Sequence, residues 1–509
     1  MRLRSLLFCA VALTMAFACS KKNYTPESTT TTQPETPIPQ PPAGDADEAA
    51  YQFNVSTDKV VLSHEFRGAW LATVSGTDWP KTKLNSSAQK AELTKYLEGI
   101  ADAGCNVVFF QVCSNMDALW PSKLLPWSSV LTGTEGIDPG YDPTAFAVEK
   151  AHQLGLEIHA WINPYRIGAT AKVHASLSPV KAHPELVKEY AGSHYLDPAL
   201  PGTHAFLAEI ATELMTKYPF DGLHIDDYFY PSGYNKDQKG WETQTYPLYG
   251  GGKDREEWRF SNVDASVKAL CDATHAARPG AVFGVSPRSR SDLYLPQYAD
   301  PARWVRAGTI DYVVPQIYWT IERGDAAAFD TVLKSWNGLV GKVPVFAGIA
   351  AYKMEKSYYT QAKNEDFQFV EEFVRQVQVC RDASWCGGHV WFRTESILRA
   401  DLNACIKKTI YRKYGSLVPP MGPAGTPPAA PVPAVDGTKV SWPAVPKATA
   451  YAVYELERAS ATSKAWNANL VYRGESTSYT GVARKNYAVL AIAGRDLSPL
   501  SPVVYIAKQ

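Results

Sequence analysis

The sequence predicts an α/β protein, a (β/α)8 TIM-type barrel followed by a small all-β sandwich. Three observations predict it. Apolar or β-rich runs alternate with helix-capable stretches across residues 51–415, the pattern of a parallel sheet wrapped by helices. A Pro-rich break from Pro419 to Pro433 then gives way to short strands divided by turn residues. Within the alternating block, the run from Phe220 to Pro231 ends abruptly in two adjacent acids and a cluster of aromatic rings. A doubly wound open sheet is the alternative arrangement of the same elements.

The elements follow in order. Arg2 and Arg4 precede an apolar run, Leu6 to Ala18, too short to span a bilayer permanently. This reads as a signal peptide over residues 1–18. Ala16-Phe17-Ala18-Cys19 is a loose lipobox, so Cys19 is expected to be the lipidated first residue of the mature chain; a plain secretory signal is the alternative. Residues 19–50 are rich in Thr and Pro and poor in large apolar side chains, as expected of a disordered tether. Eight strands are expected at Phe66–Thr73, Asn106–Cys113, Leu156–Ile162, Phe220–Asp226, Ala281–Ser286, Ile310–Ile317, Val343–Ile349 and Gly387–Phe392. Helical spacing is clearest at Ser86 to Ala103, where Leu93, Leu97 and Ile100 recur behind a Ser cap and Gly104 is the stop. Helices are also expected at Thr203–Tyr218, Asn262–Ala277 and Asp366–Arg381. Residues 416–432 read as a linker and 433–509 as the sandwich.

Composition narrows the function classes. Lys+Arg and Asp+Glu both total 51, so there is no basic field for nucleic acid. Export implies an oxidising compartment. Cys105 and Cys113 end one extended strand, about 26 Å apart, beyond disulfide reach; Cys380 and Cys386 could close a small loop. No CxxC pair suggests structural zinc, no cofactor is called for, and a monomer is expected.

In a barrel the carboxyl ends of the strands form the active face. In strand order they supply Arg67 and Trp70; Gln111; Asn163, Tyr165 and Arg166; His224, Asp226, Asp227 and Tyr228; Ser286 and Arg288; Gln316, Tyr318 and Trp319; Tyr352; then Trp391, Arg393 and Glu395. Amides, arginines and aromatics around a few acids suit an uncharged polyol. Glycoside hydrolysis needs two carboxyl groups flanking the scissile bond, one of them protonated. Strand alternation puts His224, Asp226 and Tyr228 on one face, with Asp227 opposite unless the strand has already ended. Asp226 is therefore expected as nucleophile or base and Asp227 as partner acid or orienting group, with Glu395 and then Asp292 as further candidates. The bland readings are loop-capping acids, acids paired with Arg166 or Arg393, and a satisfied interior histidine at 224. His224-x-Asp226-Asp227 could hold a metal, but no second histidine pair at ligand spacing supports one.

Four stretches together resemble the glycosyl-hydrolase-like family 10 domain of bacterial envelope proteins and lipoproteins: Glu65 to Trp70, Ile158 to Arg166, Asp221 to Tyr228, and Asp311 to Trp319. The resemblance implies a TIM-type barrel with glycosidase activity, here on cell-wall glycan strands. The tail resembles a fibronectin type III module through Trp442 and Tyr487-Ala488-Val489. Asp221 to Tyr228 also looks like the strand-four signature of chitinase-type barrels. There His224 stands at an acid place and Tyr228 replaces the proton-donating Glu, so that likeness is architectural.

Three functions are consistent with these residues. The first is an envelope-anchored glycoside hydrolase acting on an N-acetylated polysaccharide such as peptidoglycan. The others are a non-catalytic glycan-binding lipoprotein with a degenerate barrel site and a metal-dependent deacylase.

Overall fold

The computed structural model describes residues 51–231, 242–339, 341, 343–361, 363–411, 416–419, 421–422, 425–460 and 462–508. The signal peptide, Cys19 and the tether lie outside these residues. Eight parallel strands close a barrel: β1 Phe66–Leu71, β2 Val107–Cys113, β3 Glu157–Ile162, β4 Gly222–Ile225, β5 Val282–Val285, β6 Tyr312–Val313, β7 Val345–Ile349 and β8 Cys386–Trp391. Each pairs with the next, and β8 returns to β1 in the register Gly388↔Phe66. A Cβ on Gly388, at φ +144°, would lie 2.1 Å from the Phe66 carbonyl oxygen, so closure there needs glycine. A closed sheet excludes the doubly wound alternative.

The strand residues alternate. One set, including Phe66, Trp70, Phe109, Trp161, Tyr312 and Phe346, fills the barrel interior. The other, including Ala69, Val108, Phe110, Ile158 and Leu223, packs outward against the helices. The helix Ser86–Asp102 buries Leu93, Leu97 and Ile100, but its cap is Asn85, whose side chain accepts from the Ala88 N–H at 3.0 Å. The other helices anticipated above run Pro201–Lys217, Arg255–Ala277 and Val370–Asp382. Cys380 and Cys386, like the remaining described cysteines, carry no disulfide.

The C-terminal module is all-β. Strands β9 Ala434–Asp436, β10 Lys439–Ser441 and β13 Ser478–Thr480 form one antiparallel sheet. Strands β11 Ala450–Arg458, β12 Ala465–Gly474, β14 Lys485–Ala493, β15 Asp496–Leu497 and β16 Val504–Ile506 belong to the other. Val440, Trp442, Tyr451, Val453, Tyr487 and Ile506 pack together as one core of this module. A second cluster, with Ala452, Tyr454 and Leu490, takes in Phe53, Val60, Leu62 and Leu417. Lys59–Val61 pairs in parallel with Ala465–Asn467. Residues 59–61, expected within the barrel block, therefore belong to the module's sheet.

Arginines fasten the module to the amino-terminal ends of the barrel strands. Arg495 donates to Gly280 O at 2.8 Å and Met421 O at 2.5 Å, and its Nε is 3.5 Å from Glu157 Oε2. Arg473 donates to Cys105 O at 3.0 Å. The start of the expected linker is tied down as well, through Leu417 N–H to Ser63 O and Asn106 Nδ2–H to Ser416 O. Removing Arg495 would leave buried carbonyls and a buried carboxylate short of a partner. Arg495→Ala should cost about 2–3 kcal/mol of unfolding free energy in urea; a loss under about 0.5 kcal/mol, the range of a surface substitution, would show that this contact does not clamp the module.

Candidate active site

At the carboxyl ends of the strands lies a cavity of about 270 Å³, near the small end of ligand pockets (about 300–1,000 Å³). Its lining includes Trp70 and Gln111 from β1 and β2, Trp161 and Arg166 at the end of β3, and Asp226, Asp227 and Tyr228 after β4. Ser286, Gln316, Tyr318, Tyr352 and Phe392 complete the opposite wall. β4 stops at Ile225, so strand alternation no longer applies beyond it and both aspartates reach the cavity.

Asp226 is 3% exposed. Its Oδ2 accepts from Trp161 Nε1 at 3.0 Å and its Oδ1 from Asn163 Nδ2 at 2.9 Å. Asn163 cannot turn its amide around, because its oxygen accepts from the Arg166 and Tyr165 N–H groups at 2.9 and 3.3 Å. Burial, and then the charge of Asp227, push the Asp226 carboxyl up to about 7. The Arg166 guanidinium and the Trp161 N–H oppose the rise without cancelling it. Asp227 is differently placed. Its Oδ2 meets Arg288 Nε at 3.1 Å and its Oδ1 accepts from Gln316 Nε2 at 3.1 Å. Two neighbouring carboxyl groups thus have unlike surroundings, one desolvated and one paired with a cation.

Aromatic rings frame the acids. Arg166 donates to Ser114 O at 3.0 Å and stacks over Tyr228, 4.4 Å from the ring centroid. Tyr228 remains 45% exposed. Tyr318 stacks on Phe392 at 5.8 Å, and Tyr352 meets Phe392 edge-on at 5.6 Å. Flat faces beside paired carboxyl groups can hold and orient a sugar ring.

Several expected residues fall elsewhere. Glu395 is tied to Arg393 at 2.6 Å and to Lys81 at 3.2 Å and does not line the cavity. Arg393 cross-links Thr77 O and Asp78 on the loop after β1. Asp292 is bound by Arg290 at 2.6 Å. Trp391 points out of the barrel, where its N–H donates to Tyr411 Oη at 2.8 Å. Arg67 sits toward the amino-terminal end of β1, on Glu65 at 2.7 Å and above the Tyr411 ring at 4.2 Å. Tyr165 is buried in the outer core, and Trp319 lies near Arg290, 5.8 Å from ring centroid to guanidinium carbon. His224 is wholly buried beneath the cavity, and Asn163 acts from behind Asp226. Among the described residues, no group of three His, Cys, Asp or Glu side chains is arranged to hold a metal ion. Trp161 and Phe392 were not among the expected site residues. Period-two spacing from Asn163 would have found Trp161.

The raised Asp226 carboxyl has a thermodynamic consequence. Between its ordinary value of 3.8 and about 7, the folded chain binds more protons than the unfolded one. Stability therefore falls as pH rises through that window, by on the order of 3–4 kcal/mol. Asp226→Asn cannot ionise and escapes this loss. Its amide must face one N–H donor, but that penalty does not vary with pH. The melting temperature of the variant relative to wild type should thus be several degrees more favourable at pH 8 than at pH 5; a difference independent of pH would contradict the burial argument.

A family profile for glycosyl hydrolase-like 10 matches residues 65–366. The chain is 34% identical over 388 residues to glycosyl hydrolase DigH of Escherichia coli (strain K12), covering 69% of this chain and 83% of that one. It is also 34% identical over 399 residues to glycosyl hydrolase YngK of Bacillus subtilis (strain 168), covering 73% and 75% respectively. Among solved structures, the PgaB glycoside hydrolase domain from Bordetella bronchiseptica aligns at 13% identity with a TM-score of 0.47, covering 70% of this chain and 100% of that chain. With its barrel motifs inside the matched span, the chain belongs to the glycosyl hydrolase-like 10 family.

Proposed function

We propose that the protein is a glycoside hydrolase that acts on an N-acetylated polysaccharide, a bacterial cell-wall glycan or a close relative, while anchored to the envelope through Cys19. The observation that carries the catalytic part is the pair of unlike carboxyl groups, Asp226 buried with its carboxyl near neutrality and Asp227 held by Arg288. The two roles are exchanged relative to the sequence expectation. Asp226 is the acid that protonates the glycosidic oxygen, and Asp227 is the anion.

Adjacent residues cannot stand on opposite sides of a bond. Among the described residues lining the cavity, no third carboxyl group faces them. An N-acetylated sugar removes the need for one, because its own acetamido oxygen can attack the anomeric carbon. Asp227 accepts the acetamido N–H and stabilises the resulting oxazolinium. Bond cleavage takes the proton from Asp226 to the leaving oxygen; water then attacks the anomeric carbon and returns a proton to Asp226, with net retention. The same missing third carboxyl favours a second reading, a glycan receptor that binds without cleaving. The C-terminal module is read as fibronectin type III-like on the strength of its two packed antiparallel sheets with Trp442 and Tyr487 between them. Its role here is to brace the barrel floor.

Purified sacculi, intact and stripped of peptides, should yield soluble fragments and new reducing ends with wild type, and about 10²–10⁴-fold less with Asp226→Asn. Saturable binding without product would select the receptor reading. The acid must be protonated, so kcat/KM should fall above about pH 7. Asp227→Asn removes the like charge that raises Asp226, so its residual activity should fall away at lower pH; an unmoved limb would refute the assignment of the acid. Cys19→Ser should release the protein from the membrane fraction, and continued retention would count against the lipid anchor.

A further inference from the structure

A chain of buried polar groups descends through the barrel beneath the cavity. Ser286 Oγ lies 3.0 Å from His224 Nε2, and His224 Nδ1 lies 3.1 Å from Tyr312 Oη. Tyr312 Oη is 2.9 Å from His159 Nδ1, and His159 Nε2 is 3.5 Å from Glu157 Oε2. Glu157 ends the chain beside Arg495 of the C-terminal module, at 3.5 Å. The neighbouring strands leave room for these rings. A Cβ on Gly284 would fall 2.1 Å from the Tyr312 ring, and one on Gly222 would fall 2.8 Å from His159 Nδ1. Barrel interiors are usually filled by branched apolar side chains, so two histidines and a tyrosine housed by glycines call for a reason.

The hydrogens in this chain can point only one way. Trp70 Nε1, a group that only donates, is 3.4 Å from His224 Nε2, so that nitrogen carries a lone pair. Burial keeps His224 neutral, which places its hydrogen on Nδ1, toward Tyr312. The Tyr312 hydrogen then goes to His159 Nδ1, and the His159 hydrogen sits on Nε2, toward Glu157. At the upper end His224 Nε2 has only a lone pair to offer, so across the 3.0 Å contact the Ser286 hydroxyl is the donor, in preference to Ile225 O at 3.5 Å, and the more distant Trp70 N–H shares that lone pair.

We propose that Ser286 is a substrate-binding residue locked as a hydrogen-bond acceptor, and that His224, Tyr312 and His159 are positioning residues that lock it. With its hydrogen committed downward, Ser286 offers the cavity only lone pairs, in the same lining as Asp226 and Asp227. It takes an N–H or O–H from the ligand, such as a sugar hydroxyl, and disfavours a ligand that offers an acceptor or an ether at that point. The class of ligand rests on the glycan-hydrolase reading above, whereas the direction of the chain does not.

The test pairs ring-nitrogen NMR of the full chain, labelled with 15N-histidine, with kinetics on peptide-stripped glycan strands. His224 should be neutral with its hydrogen on Nδ1 and His159 neutral with its hydrogen on Nε2; the reverse tautomer at His224 overturns the proposal. Ser286→Ala should raise KM roughly 3–10-fold with a smaller effect on kcat. Tyr312→Phe should mix the His224 tautomers and raise KM similarly, and the double variant should be no worse than Ser286→Ala alone. Additive losses, or an unchanged KM in Ser286→Ala, would reduce the chain to core packing. If wild type releases no product, the hydrolase reading falls, and the same comparison made as Kd for the stripped strands decides this one.

Discussion

The Asp226 carboxyl sits between the Trp161 and Asn163 N–H groups, almost out of water and one residue from a second carboxyl group. Two such charges in a poorly solvated cleft repel each other too strongly for both to ionise freely. Arg288 and Gln316 hold Asp227, while burial and then the neighbouring charge raise the Asp226 carboxyl to about 7. A difference in environment between two chemically identical side chains sets them apart where the sequence has only Asp-Asp, and the proposed acid and anion rest on that difference. The aromatic and amide walls add shape and orientation around that pair.

The frame holds this arrangement from below as well as from the sides. Inside the barrel the His159–Tyr312–His224 chain runs from below the two aspartates down to Glu157, packed among the rings of Phe66, Phe109 and Phe346. At the floor, Arg473 and Arg495 bind backbone carbonyls of the barrel, so the C-terminal module is part of the same packed body. An arrangement of buried hydrogen bonds of this kind is valuable only when each member is satisfied. The glycines at 222 and 284 make room for the rings that satisfy it.

Much of the fold was legible because its signals are local. Alternating strand and helix runs announce the barrel, and the short strands beyond the Pro-rich break announce the β-module, although Lys59–Val61 joins the module's sheet. The cap at Asn85 instead of the following serine is a one-residue error in reading a polar cluster. The lining of the candidate cavity was legible at Trp70, Gln111, Arg166, Asp226, Asp227, Tyr228, Gln316 and Tyr318, which follow from being near strand ends. Arg67, Tyr165, Trp391, Arg393 and Glu395 have similar positions in sequence but face the floor, the outer core or the rim. Proximity to a strand end does not settle which way a side chain points. Arg288 as the partner of Asp227, 61 residues away, is a tertiary contact that no local pattern carries. The directional chain from Trp70 to Glu157 likewise exists only once the eight-stranded barrel is closed.

The most direct measurement of this account is a carboxyl 13C titration of Asp226 in the intact chain, assigned by its loss in an Asp226 variant. The account predicts a midpoint near 7, displaced downward when Asp227 is made neutral. A midpoint at or below the ordinary carboxylate value of about 4 would mean that Asp226 is an anion at working pH, and the acid would have to be sought elsewhere.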